Sequence, residues 1–177
     1  MSVKLKHRNA FPVLFSSLGL TGIGVELGVR HGEFTAVLSG SVLSCVVGID
    51  NWSGRWTDDS YCRACGVMLR SENVKLIRLD FDRAEGLFED GSLDVIYVDG
   101  NADTDRQIQY ERLERWYPKL RYGGVFAGHD YSPFYSDVVA AVDRFGAERE
   151  CDIMVTGESV SVRRSVFPSW YLIKRSL

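Results

Sequence analysis

Five carboxylates stand at or near the ends of short apolar runs in this sequence: Glu26, Asp50, Asp80, Asp99 and Asp130. Runs of that kind, rich in Val, Ile and Leu, read as strands buried on both faces of a sheet. A glycine-bearing stretch, I-G-V-E-L-G-V-R-H-G-E-F at 23–34, carries the first of them. Gly28 permits a sharp turn, and the helix expected beyond Gly32 offers unpaired N–H groups and a positive dipole end. Main chain arranged in this way brings its N–H groups close to a polar or negatively charged ligand. Carboxylates gathered on one rim repel one another unless a cation, a polyhydroxyl ligand or neutral partners offset them. Each Asp also suits the N-cap of the helix that follows, and for any single one that explanation weighs as much. For the set, a ligand site is the better account.

Asp50 has a more specific chemistry. A carboxylate closing a second strand about 20 residues past the glycine turn is placed to accept hydrogen bonds from two ribose hydroxyls. A nucleoside-containing cofactor follows. A dinucleotide fingerprint wants G-x-G-x-x-G, whereas this turn runs Gly28-Val-Arg-His-Gly32 and cradles a pyrophosphate poorly. A cofactor without phosphates loses nothing by that, which disfavours a nicotinamide-dependent oxidoreductase.

Alternating strands and helices must position these groups. Phe11, Leu14, Phe15 and Leu18 share one side of a helix expected over 9–18, with Pro12 in its first turn. Parallel strands are expected at 23–27, 42–49, 74–79, 93–98 and from Gly123-Gly124 to Asp130. Helices are expected at 33–39, from Thr57 or Asp58 to near Arg70, near 83–87, at 104–117 and at 133–145. Two further strands, 152–156 and 170–174, are joined by a longer hairpin around Val160 to Pro168. The pattern is that of an α/β protein with right-handed crossovers and an antiparallel strand added at one edge.

Composition narrows the partners. The 177 residues are 45% hydrophobic and 25% charged, as in soluble globular proteins, and make one domain with a substantial core. A net charge of −3 weighs against a nucleic-acid partner. No apolar run approaches the roughly 20 residues that span a bilayer. The first ten residues have no apolar h-region, so a cytoplasmic protein away from membranes is expected. Cys45, Cys62, Cys65 and Cys151 are too few for a disulfide framework. The Cys62-x-x-Cys65 pair lacks a second pair to complete a zinc site and lies inside an expected helix, so reduced thiols are expected.

Taken together, V-E-L-G-V-R-H-G-E-F-T at 25–35, G-I-D-N-W at 48–52, D-G-S-L-D-V-I-Y-V-D-G at 90–100, R-W-Y-P-K-L at 115–120, G-G-V-F-A-G-H-D-Y at 123–131 and S-W-Y-L-I-K at 169–174 carry a family resemblance. The sequence resembles class I S-adenosylmethionine-dependent methyltransferases, and within them the compact bacterial branch of sugar and macrolide O-methyltransferases. The resemblance implies a Rossmann-like doubly wound, mostly parallel seven-stranded sheet with a C-terminal antiparallel hairpin. It implies one such domain over residues 1–177, with 1–21 an N-terminal helical segment. It implies S-adenosylmethionine as cofactor, with Glu26 and Gly28 at its methionine end, Asp50 at the ribose, Asp80 with Phe81 at the adenine, and Gly32 and Asn51 also among the cofactor-binding residues. Related O-methyltransferases hold a divalent cation by acids after the fourth and fifth strands. The resemblance therefore implies Mg²⁺ on Asp99, His129 and Asp130, with Asp99 also facing the cofactor. Such an ion orients a hydroxyl and lowers its pKa.

One stretch departs from the branch. Its usual D-G-x-H-x-Y is replaced by Asp99-Gly100-Asn101-Ala102-Asp103-Thr104-Asp105, so the expected histidine falls on Ala102 or Thr104. Proton acceptance then passes to His129, to Asp103 or to a metal-bound hydroxide, with His129 equally suited to orient Asp130. Trp52 and Trp56 are expected to form a lid or to pack on their own domain, Tyr131 and Tyr135 to line the acceptor site or pack, Trp116 to lie in the core and Arg163-Arg164 to be solvated. The expected activity is methyl transfer to a hydroxyl of a small molecule. The alternative is a protein that binds the cofactor without catalysis. A chain this short leaves the acceptor side open or completed by a second subunit.

Overall fold

A computed structural model describes residues 5–54, 57–157 and 167–176. Among them, seven strands form one sheet in the order β3-β2-β1-β4-β5-β7-β6. Strands β1 (Ile23–Leu27), β2 (Cys45–Asp50), β3 (Val74–Arg78), β4 (Leu93–Val98) and β5 (Leu120–Gly128) are parallel. Helix α1 (Phe11–Ser17) precedes β1, and α2 (Glu33–Ser39), α3 (Asp58–Met68), α4 (Arg106–Trp116) and α5 (Ser136–Glu148) follow in turn. Strand β7 (Trp170–Ile173) runs antiparallel to β5 and pairs with the short β6 (Met154–Val155). This is the Rossmann-like doubly wound sheet that the resemblance implies. The expectations for Trp56, Val160 and Arg163-Arg164 lie outside the described residues.

The sheet is apolar on both faces because its strands alternate. Val25, Leu27, Ile49, Ile96, Phe126 and Leu172 point to one face and pack with α4 and α5. Val46, Val95, Tyr97, Val125 and Tyr171 point to the other and pack with α1 and α2. From β1 the chain steps outward through β2 to β3, then returns to β4 on the far side of β1. The carboxyl ends of β1 and β4 therefore lie side by side where strand order reverses, the place at which open α/β sheets bind ligands. No described helix is long and apolar enough to cross a membrane, and the four cysteines are unpaired thiols.

Boundaries depart from the sequence pattern where local hydrogen bonding overrides periodicity. A 3₁₀ turn, Arg8–Ala10, takes the first residues of the expected first helix. Strand β2 starts at Cys45 because the Ser44 N–H bonds back to the carbonyls of Thr21 and Gly22. The helix expected at 83–87 is two 3₁₀ turns, Phe81–Arg83 and Glu85–Leu87. Helix α4 begins at Arg106 because Asp105, not Thr104, accepts a capping bond, from the Gln107 N–H at 2.7 Å. Strand β5 begins three residues before Gly123, which sits inside it at φ 77°. The helix expected at 133–145 opens instead as a 3₁₀ turn, Pro133–Tyr135, before α5.

Phe126 lies fully buried with its ring centroid 5.5 Å from Trp170, 5.7 Å from Phe145 and 5.7 Å from Tyr117. Aromatic packing of this density collapses poorly around a void. Phe126→Ala is expected to lower stability by about 3–5 kcal/mol, read as a drop in the urea midpoint at unchanged m-value.

Candidate active site

The cleft begins where β1 and β4 end. The Asp99 N–H bonds to the Leu27 carbonyl at 2.7 Å and the Gly28 N–H to the Ile49 carbonyl at 2.8 Å. Gly28 turns at φ 93°, and a Cβ there would stand 2.2 Å from the Asp99 carbonyl oxygen. Only glycine fits that crossing. Asp50 then fixes the loop after β1: its Oδ2 accepts from the N–H groups of Val29 and Arg30, each at 2.9 Å, and its Oδ1 accepts from Trp52 N–H at 2.8 Å. A carboxylate offers about four acceptor sites, so roughly one is left for a ligand hydroxyl. Asp50 is thus first a clasp.

Trp52 belongs to the same clasp. It is buried at φ 47°, its indole N–H bonds to the Arg30 carbonyl at 2.7 Å, and its ring packs on Tyr61. Of the two expectations for this residue, packing on its own domain is the one observed. Gly32 opens α2 at φ 86°, a left-handed backbone that suits glycine, and a Cβ there would press on Val67 of α3 at 3.0 Å.

Two connected spaces open from the crossing. The larger, about 440 Å³, is bordered by Gly28, Asp50, Asn51, Phe81, Asp99 and Asp103. The smaller, about 240 Å³, is bordered by Arg8, Glu26, Phe34 and His129, with Gly28, Arg30, Asp99, Asp130 and Tyr135 common to both. Asp103 thus faces the larger space, while His129 and Glu26 border the smaller one. Asp80 caps its own 3₁₀ turn, accepting from the Asp82 N–H at 2.9 Å. Phe81 is buried and presses on Gly100, where a Cβ would stand 2.8 Å from its ring. Tyr131 turns away to donate to Asp143 at 2.6 Å.

Two arginines here escape sequence reasoning. Arg112 of α4 is fully buried and forks onto Asp82 at 2.7 and 2.8 Å, with its guanidinium 4.8 Å from the centre of the Phe81 ring. It also donates to the Gly100 carbonyl at 3.3 Å, tying the loops after β3 and β4 together. Arg8 reaches in from the turn ahead of α1 and meets Asp99 Oδ2 at 3.1 Å. Arg112 is hidden in a charged helix, R-Q-I-Q-Y-E-R-L-E-R-W, and its one signal is that it falls one position before Leu113 on the buried side. Arg8 sits in a run of basic residues with no signal of its own.

Burial holds the Glu26 carboxyl well above the usual glutamate range, and a hydrogen bond from the Thr35 hydroxyl offsets only part of that. Burial likewise raises Asp99, against the lowering charges of His129 and Arg8. Burial pulls His129 down, but its bond to Asp130 and the charges of Asp99 and Asp130 outweigh this and leave it raised. His129 Nδ1 lies 2.8 Å from Asp130 and 3.6 Å from Asp99, while its Nε2 is buried without a partner among the described residues. Asp99, His129 and Asp130 each place one ligand atom within 4.8 Å of the others, so the residues expected at a metal do come together. At Asp99, however, Oδ2 is already held by Arg8. A guanidinium on that carboxylate opposes a dication there by charge repulsion.

A doubly wound sheet with a glycine turn at its switch point and an acid closing the second strand is the framework of a nucleoside-cofactor site. The family profile of a methyltransferase domain matches residues 25–131, and the chain belongs to that family. Its fold is shared with an O-methyltransferase from Bacillus cereus solved in complex with SAH (TM-score 0.68, 17% identity, 98% of this chain and 83% of that one). It is shared also with a SAM-dependent O-methyltransferase from Thermotoga maritima (TM-score 0.64, 16% identity, 99% and 68%) and the tRNA (m1A58) methyltransferase TrmI from Aquifex aeolicus (TM-score 0.67, 16% identity, 96% and 69%). No curated protein matches the chain.

Two outcomes are expected here. Asp82→Ala leaves Arg112 buried without its counter-ion and should cost about 3–5 kcal/mol, seen as a lower midpoint in denaturant. Glu26→Gln should act the other way. Because the folded-state pKa of Glu26 is raised, the unfolded chain releases that proton first, and stability falls as pH climbs above the ordinary glutamate value until the folded pKa is passed. Glutamine keeps an acceptor for Thr35 without the buried charge. The variant should gain about 1 kcal/mol at neutral pH and lose the advantage in acid, as read by melts across pH.

Proposed function

We propose that this protein transfers the methyl group of S-adenosylmethionine to a hydroxyl of a small molecule. The observation that carries the reading is that Gly28, Asp50 and Phe81 open on one cleft whose inner end meets the Asp130–His129 pair. S-adenosylmethionine supplies the electrophile when bound, a methyl group on a sulfonium. Phe81 offers an apolar wall to the adenine, Asp50 its remaining acceptor site to the ribose, and Glu26 a carboxyl to the methionine ammonium. The Gly28 turn admits the cofactor backbone-close, as no larger residue would.

Asp130 borders both spaces, so its carboxylate is the group that accepts the hydroxyl proton as the oxygen attacks. His129 holds that carboxylate in place through Nδ1, at 2.8 Å. Tyr135 borders both spaces beside Asp130. Metal assistance would take Asp99 and Asp130 as oxygen anchors and His129 as a third ligand, and the guanidinium on Asp99 opposes it. An acidic rim and a net charge of −3 favour a small-molecule acceptor over nucleic acid.

Calorimetric titration with S-adenosylmethionine and S-adenosylhomocysteine, with NAD as control, tests the cofactor. Micromolar-range binding of both sulfur ligands, about −8 kcal/mol, is expected, and Gly28→Ala should abolish it. Binding of NAD in their place ends the reading. Asp130→Asn should keep S-adenosylhomocysteine binding and lose roughly 10²-fold or more in turnover of a methylated acceptor. Binding that survives with no turnover across a panel of phenols and polyols favours the non-catalytic alternative, for which the Ala102 and Thr104 replacements speak.

A further inference from the structure

The acid rim has a cation of its own. Arg8 lies in the turn Arg8–Ala10, and its guanidinium meets Asp99 Oδ2 at 3.1 Å while lying 5.0 Å from the centre of the Phe34 ring. The chain on either side of it is anchored. Leu5 is buried, and its carbonyl accepts from the Gly157 N–H at 2.9 Å. Phe11 is fully buried, with ring centroids 5.6 Å from both Tyr97 and Tyr171 and 6.4 Å from Phe34. Arg8 is therefore held over the site by the packing of α1 and is not a surface side chain that happens to touch Asp99.

The carboxylate it holds is one of the three residues, with His129 and Asp130, whose ligand atoms are close enough to share an ion. A guanidinium stays protonated throughout the working pH range, so it does not vacate that oxygen by losing its charge. It brings one positive charge and fixed N–H directions, where Mg²⁺ would bring two charges and retained waters. We propose that Arg8 stands in place of a divalent ion on Asp99, so that the site works without a metal and loss of Arg8 converts it into a metal site. The statement about turnover rests on the methyl-transfer reading; the statement about metal binding does not.

Manganese titration of the full-length chain, followed by electron paramagnetic resonance, separates the two. The wild-type protein and Arg8→Lys are expected to show no saturable binding up to about 1 mM Mn²⁺, an affinity weaker than about −4 kcal/mol. Arg8→Gln, and Arg8→Met as a second variant that keeps the apolar stem over Phe34, should bind at least about tenfold more tightly. Adding Asp99→Asn to either should remove the gain. Thermal melts on each variant confirm that it is folded, and one folded variant suffices. Saturable wild-type binding that Asp99→Asn abolishes overturns the proposal, as does a folded Arg8→Gln or Arg8→Met that binds no better than wild type. Wild-type turnover and S-adenosylhomocysteine affinity should be unchanged by EDTA. Failure of S-adenosylhomocysteine to bind at all would sink the methyl-transfer reading and leave the manganese result standing.

Discussion

The crossing of the main chain at Gly28 over the carbonyl of Asp99 is the constraint on which the site depends. With a Cβ position only 2.2 Å from that oxygen, β1 and β4 can end side by side only if one of them ends in glycine. Their hydrogen bonds then continue one step past the strands, from Asp99 N–H to Leu27 and from Gly28 N–H to Ile49. Asp99, the Gly28 turn and the Asp50 clasp are all placed by that step. Any side chain at Gly28 would push the strand ends apart and move all three together.

Around this crossing, buried charges are satisfied from within the chain. Asp50 faces three main-chain N–H groups, Asp82 faces Arg112 and Arg115, Asp99 faces Arg8, and His129 faces Asp130. Desolvation makes each acid expensive alone, and the partners bring it within the range a folded protein tolerates. Glu26 is the exception: burial and the neighbouring charges of Asp99 and Asp50 hold its carboxyl well above the usual glutamate range, and the Thr35 hydroxyl and the charge of Arg8 offset only part of that. A group kept in that state is a liability for the empty protein and an asset once a cationic ligand group arrives, a pattern common at functional sites.

Much of this was legible in the sequence because buried parallel strands write themselves as apolar runs. Ile23–Leu27 and Leu93–Val98 are found as expected, and Glu26 within the first and Asp99 just after the second reach the rim. Short-range hydrogen bonding was less legible: whether Thr104 or Asp105 caps α4 turns on one side-chain bond. Least legible were the long-range ion pairs. Arg8 and Asp99 are 91 positions apart, and Arg112 and Asp82 are 30 apart. A helix written as alternating Arg and Glu reads as a solvated face, so the fully buried guanidinium of Arg112 left no trace in the pattern. Of the two expectations for Trp52, packing on its own domain holds over a lid for a related reason. Its aromatic ring in a polar loop suggested ligand stacking, whereas a left-handed backbone and the Asp50 bond fold it beneath the turn.

The clasp made by Asp50 and Trp52 bears on timing as well as shape. The loop after β1 already has its Val29 and Arg30 amides held by Asp50 and its Arg30 carbonyl held by the indole of Trp52, from the loop after β2, before any ligand enters. Such a loop has little disorder to lose on complex formation, so the entropy of binding is spent on the ligand rather than on the protein. A ligand entering the cleft therefore meets a loop whose shape is already set by the protein's own bonds.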